Sequence, residues 1–199
     1  MFKMILIRPG STDFDSQGRI QGNLDVPLNS QGSAEVADLA SELAPHSLDV
    51  IYSAKCEPSA GTADALAERL GVKVKRLEGL RNVDHGLWQG MCVEEVRRTQ
   101  PWVFKASRST PECICPPHGE TMQSAQERVV HSISKLIRKF TVTGSNGKLT
   151  ATVGVVAPTP VLHLIHTMLT DEPTVDFWET DEKPDPIEIL EVHSPSNAT

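Results

Sequence analysis

Arg8 stands where an apolar run ends and a glycine follows, in Ile5-Leu6-Ile7-Arg8-Pro9-Gly10-Ser11-Thr12. A guanidinium is always charged, so at the end of a buried strand it holds either an anion or an internal carboxylate. The internal pair, with Asp15 or Glu120, is the expected outcome. His85 and His118 could serve as a displaced acid or nucleophile, because imidazole titrates near neutral pH, although loop histidines are more often simply solvated. His163 and His166 lie three apart and could meet a metal from one helix face. No carboxylate or cysteine stands at matching spacing, so they read as ordinary helix histidines and no metal is expected. Cys113 and Cys115 lack the second pair that a zinc site needs, and no motif implies a cofactor. Asp176-Phe177-Trp178-Glu179 reads as a docking patch or a solvated loop.

The elements that must position these residues follow from periodicity. The four apolar residues at 4–7 form a strand buried on both faces, and Gly10 allows the tight turn that presents Arg8 at its carboxyl end, where open α/β sheets place ligands. A polar loop runs to Leu28. Asn29 and Ser30 cap a helix with Val36, Leu39, Ala40 and Leu43 at helical spacing until Pro45. A second buried strand is expected over 49–53, a helix from Pro58 to Gly71, and a third strand over 72–77. A loop over 79–90, short helices over 93–99 and 102–105, and an irregular insert over 107–117 come next. Met122, Ala125, Val129, Ile133, Leu136, Ile137 and Phe140 mark a long amphipathic helix. A turn at 144–147, a strand over 149–157 and a helix over 161–169 complete the order. This alternation predicts an α/β three-layer sandwich, with a mainly parallel central sheet flanked by helices.

A chain of 199 residues with 39% hydrophobic content can bury one sizeable core, and no Pro/Gly/Ser-rich linker divides it. One domain over 1–199 is expected, with 171–199 as an acidic C-terminal extension. The acid is uneven: 171–192 holds nine Asp or Glu against Lys183, while the whole chain carries −7. Such a balance gives no attraction to nucleic acid or to an anionic membrane, so neither is an expected partner. Four cysteines and no secretory leader suggest the reducing cytoplasm.

Four strings carry a more specific signal. Gly18-Arg19-Ile20-Gln21-Gly22-Asn23-Leu24-Asp25-Val26-Pro27-Leu28 follows the Arg8 turn, and Tyr52-Ser53 opens a second block. Leu80-Arg81-Asn82-Val83-Asp84-His85-Gly86-Leu87-Trp88-Gln89-Gly90 and Pro117-His118-Gly119-Glu120-Thr121 complete the set. Together, over roughly residues 4–169, they resemble the histidine phosphatase superfamily, phosphoglycerate mutase branch, whose fold the chain is then expected to share. Trp88 is a packing position in that resemblance. The departures lie at its centre. Pro9 stands where that family has its nucleophilic histidine, Pro58 where it has a phosphate-clamping arginine, Asn82 where it has the acid, and Pro158 where it has the second histidine. Asp15 occupies a position where the family often has a phosphate-binding asparagine. The residual pocket implied by the resemblance comprises Arg8, Gly10, Ser11, Asp15, Gln21, His85 and His118.

Phosphoryl transfer to a side chain needs a lone pair on that side chain to attack phosphorus, and fixed positive charge around three oxygens. Proline supplies neither. The expectation is therefore a catalytically inactive relative acting as a binding, regulatory or scaffold module, for an unknown protein or a small neutral ligand, with a homo-oligomer possible. The alternative is a weak phosphohydrolase whose chemistry has moved to other residues, such as His85 or His118 with Arg8.

Overall fold

The computed structural model describes residues 1–109, 115–142, 151–170 and 185–193, with the side chains of 107–109 and 142 left aside. A five-stranded sheet forms its centre: β1 (Phe2–Ile7), β2 (Val50–Ser53), β3 (Lys73–Arg76), β4 (Thr152–Val156) and β5 (Ile187–Val192). The strand order is β3-β2-β4-β1-β5, with β5 alone antiparallel. The α/β sandwich with a mainly parallel sheet is thus observed as expected.

The helices divide between the two faces. Phe2, Met4 and Leu6 of β1 join Ala125, Val129, Ile133, Leu136 and Ile137 of α6 (Met122–Val142) and Val161, Leu164 and Ile165 of α7 (Thr159–Thr170). Ile5 and Ile7, pointing the other way along the pleat, join Val36, Leu39, Ala40 and Leu43 of α2 (Ser30–Leu43) and Ala63 and Leu66 of α3 (Ser59–Leu70). Each buried aliphatic or aromatic side chain contributes about 1.5–3 kcal/mol. A third cluster, Ile20, Trp88, Val96 and Phe104, binds α4 (Val93–Thr99) and α5 (Pro101–Ser109) over the strand ends. Trp88 is fully buried, as the sequence implied, and its indole N–H donates to Gln100 Oε1 at 3.0 Å.

Two elements escape the sequence reading. Asp13–Ser16, expected as loop, is a single helical turn, α1, closed by a reciprocal Thr12–Asp15 capping box. Ile187–Val192, read as part of an acidic extension, is the edge strand β5, with Leu190 opposite Met4 and Val192 opposite Phe2. Its two glutamates, Glu188 and Glu191, interrupt an otherwise apolar strand, so the acids of an edge strand pass for a charge tract. The turn at 144–147, Cys113, and the tract 176–179 fall outside the described residues. Among the described residues, no helix is long and apolar enough to cross a membrane.

Candidate active site

Register decides where the chemistry can lie. Ile7 of β1 is level with Val156 of β4, and Ser53 of β2 is level with the same valine, so three parallel strands end together. Arg8-Pro9 and Ala157-Pro158 leave the sheet side by side. Because β2 lies beyond β4 from β1, the chain crosses over here, and a crevice opens at the carboxyl ends. The turn after β1 is drawn tight: Gly10 N–H donates to Thr62 Oγ1 at 3.1 Å, and a Cβ on Gly10 would sit 2.5 Å from Gly32 O.

The crevice has a volume of about 330 Å³, and Arg8, Pro9, Pro58, Asn82, His85 and Pro158 all line it. Gly10, Ser11, Asp15 and Gln21 do so too, so six of the seven expected pocket residues are gathered there. His118 is the exception. It is exposed, adopts φ 64° in the turn between Pro117 and Gly119, and does not line the cleft. That left-handed turn lets Glu120, two residues on, fold back onto the loop that carries His85.

The pairings expected for Arg8 are not formed either. Asp15 is committed to its own helix cap, accepting from the backbone and hydroxyl of Thr12 at 2.7 Å each. Glu120 pairs with Arg128 at 2.6 Å and with Arg81 at 3.2 Å. Arg8 makes no ion pair among the described residues, and its buried Nε has no hydrogen-bond partner. A second guanidinium lines the same cleft: Arg19, held by Gln17 Oε1 at 2.8 Å and Gly90 O at 2.5 Å. In the sequence it stands only as one letter of a resembling string. Pro58 caps α3, while Thr159 opens α7, so two twelve-residue helices direct their N-termini at the cleft. Both termini favour an anion.

His85 is the titratable group in this setting. Burial pushes its imidazole down to about 4, against the opposing charges of Asp84 and Glu120, so at neutral pH it is uncharged and has a lone pair. Asn82 is used structurally: its amide donates to Gly22 O at 2.8 Å, and its oxygen accepts from Val83 N–H at 2.8 Å. Gln21 likewise donates to Glu57 O at 2.8 Å, joining the two rims. Ser11 Oγ turns to the Glu35 carboxylate at 2.8 Å. His163 and His166 lie outside this cleft, in a neighbouring one of about 350 Å³ that shares Arg8 and Thr159, where His166 Nδ1 is 2.6 Å from Glu188 Oε1.

Known proteins are similar over most of the chain. Phosphoserine phosphatase 1 of Hydrogenobacter thermophilus is 36% identical over 129 residues, 65% of this chain and 61% of its own length. A glucosyl-3-phosphoglycerate phosphatase of Mycolicibacterium vanbaalenii is 30% identical over 146 residues, 73% of this chain and 64% of its own. The matched stretch therefore spans somewhat under two thirds of either relative. The solved structure of a mycobacterial glucosyl-3-phosphoglycerate phosphatase complexed with VO3 superposes with a TM-score of 0.84 at 22% identity, over 98% of this chain and 93% of that one, and shares its fold. These relatives overturn the expectation of an inactive binding, regulatory or scaffold module, since they are named as phosphatases, and an enzyme fits them better. The family description "Histidine phosphatase superfamily (branch 1)" matches residues 4–196, and the chain belongs to that superfamily.

Proposed function

We propose that this protein is a phosphatase of small phosphomonoesters, with its chemistry displaced from residue 9. The observation that carries the reading is the joint placement of Arg8, Arg19 and a neutral His85 around one cleft. Both guanidiniums and the N-termini of α3 and α7 hold the phosphoryl dianion, and such electrostatic positioning is most of what phosphoryl transfer asks of a protein. Pro9 offers no lone pair. His85 instead accepts a proton from the attacking water, a P–O bond forms as the ester P–O bond breaks, and the proton passes to the departing alcohol. Ile20, Val93, Met122 and Pro160 give the cleft an apolar side, which suits the uncharged part of an alcohol. The names of the relatives point to the same reaction class.

The test is release of inorganic phosphate from a panel of phosphomonoesters with neutral, amino and carboxylated alcohols. Hydrolysis that follows the protein through successive columns is expected. No release from any member would sink the proposal.

A further inference from the structure

The loop bearing Asn82 and His85 has no regular structure beyond two 3-10 turns, Glu78–Leu80 and Gly86–Trp88. Something else must fix it. One side chain, Arg128 on α6, spends its whole fork on that task. Its Nη1 donates to Gly79 O at 2.9 Å and to Arg81 O at 2.8 Å, and its Nη2 donates to Asn82 O at 3.0 Å. Nε and Nη2 also meet the Glu120 carboxylate at 3.1 and 2.6 Å. Glu120 Oε1 then accepts from the N–H of Asp84, the residue before His85, at 3.0 Å.

Backbone seams complete the bracket. Glu120 N–H donates to Asp84 O at 2.9 Å, and Leu87 N–H donates to Pro117 O at 2.9 Å. Gly86, at φ 50°, lies so close to Pro117 O that a Cβ would overlap it, and a Cβ on Gly119 would come within 2.5 Å of Asp84 O. The strings around His85 and His118 are thus two halves of one structure, tied from a helix about 46 residues further along the chain.

We propose that Arg128 and Glu120 are positioning residues, which hold His85 at the wall of the cleft by fastening the backbone on both sides of Asn82 and Asp84. Five donor contacts from one guanidinium to four groups exceed what a lysine could supply, because an ammonium has three donors and no fixed plane. The proposal rests on His85 serving as the base, but its test need not.

The test is an NMR titration of the His85 imidazole in wild type, Glu120→Gln and Arg128→Lys, with the resonance assigned by its loss in His85→Ala. Asp84 and Glu120 are the charges that act on His85, with Arg81 and Arg128 paired to Glu120; Arg8, Arg19 and Asp15 line the same cleft. The Glu120 charge raises the His85 pKa, so removing the charge alone would push that pKa below about 4. Loosening the loop admits water and moves it the other way, toward the ordinary value near 6.5. We expect a rise of at least one pH unit in both variants. A pKa that stays at about 4, or falls, overturns the proposal. Should Glu120→Gln not fold, Arg128→Lys decides; failure of both to fold would assign the pair to stability alone and overturn it too. Phosphatase turnover, recorded in parallel, separates the claims: an inactive wild type sinks the hydrolase reading, while the titration still judges the positioning.

Discussion

Ile7 and Val156 are register partners at the ends of adjacent parallel strands, so the segments that follow them leave the same edge of the sheet, and Arg8 and Pro158 line one crevice. This one pairing brings together residues about 150 positions apart in the chain. The buried Nε of Arg8 has no hydrogen-bond partner among the described residues, which is costly unless an anion completes it.

Arg8→Gln should therefore weaken inhibition by inorganic phosphate or vanadate by roughly tenfold to a hundredfold, the worth of a charge-assisted hydrogen bond or two. Inhibition constants for wild type and variant measure it. Equal constants would show that the anion sits elsewhere.

The pH profile carries the signature of His85. A base must be unprotonated, and burial lowers the folded-state pKa from 6.5 to about 4, so activity should persist above that value and be lost as pH falls through it. The acid limb of kcat/KM, corrected for ionisation of the substrate itself, should lie near 4. A limb near 6.5 would mean a solvated imidazole, or another base.

The architecture was legible because buried parallel strands are plain apolar runs, and because Asn29 caps the start of α2 and Gly71 the end of α3 in the usual ways. Strand β5 was not, since its glutamates at 188 and 191 fall on opposite faces, opposite Leu6 and Lys3, and leave no period of two to mark a strand within a charged stretch. In the site, Arg8, Gly10, Ser11, Asp15, Gln21 and His85 were found from the strings that carry them. His118 misled because sequence places it beside Gly119 and Glu120, while a positive φ turns it away from the cleft. Arg19 could have been found by asking which cations flank a turn rather than which letters match a pattern. Arg128 could not: it borders the apolar stripe of an amphipathic helix, and its carbonyl partners become neighbours only on folding.

Glu120 links the site to acid stability. Burial opposes its charge, but the hydrogen bonds and charges of Arg128 and Arg81, with the Asp84 N–H, outweigh that and hold its pKa below the usual carboxylate value. A depressed folded pKa contributes stability that is present above the unfolded value near 4.5 and is lost as pH falls through the folded one. Glu120→Gln should cost roughly 2 kcal/mol at pH 7, from weakened charge-assisted bonds, and progressively less below pH 4.5. Urea melts at both pH values check it; a cost independent of pH would refute the linkage.

Gly10→Ala tests the turn after β1. A Cβ there would lie 2.5 Å from Gly32 O and 2.9 Å from both Leu28 Cδ2 and Val36 Cγ2, so α2 must shift. Overpacking of this kind costs about 1–3 kcal/mol. A denaturation midpoint unchanged from wild type would show that the helix approaches less closely than described.

The central claim is that this cleft hydrolyses phosphomonoesters with His85 as its base, and the rate of p-nitrophenyl phosphate hydrolysis by wild type and His85→Ala, purified identically, tests it most directly. Wild-type turnover above the buffer blank, falling by about a hundredfold or more in the variant, is the predicted result. Turnover that is absent in wild type, or undiminished in His85→Ala, would contradict it.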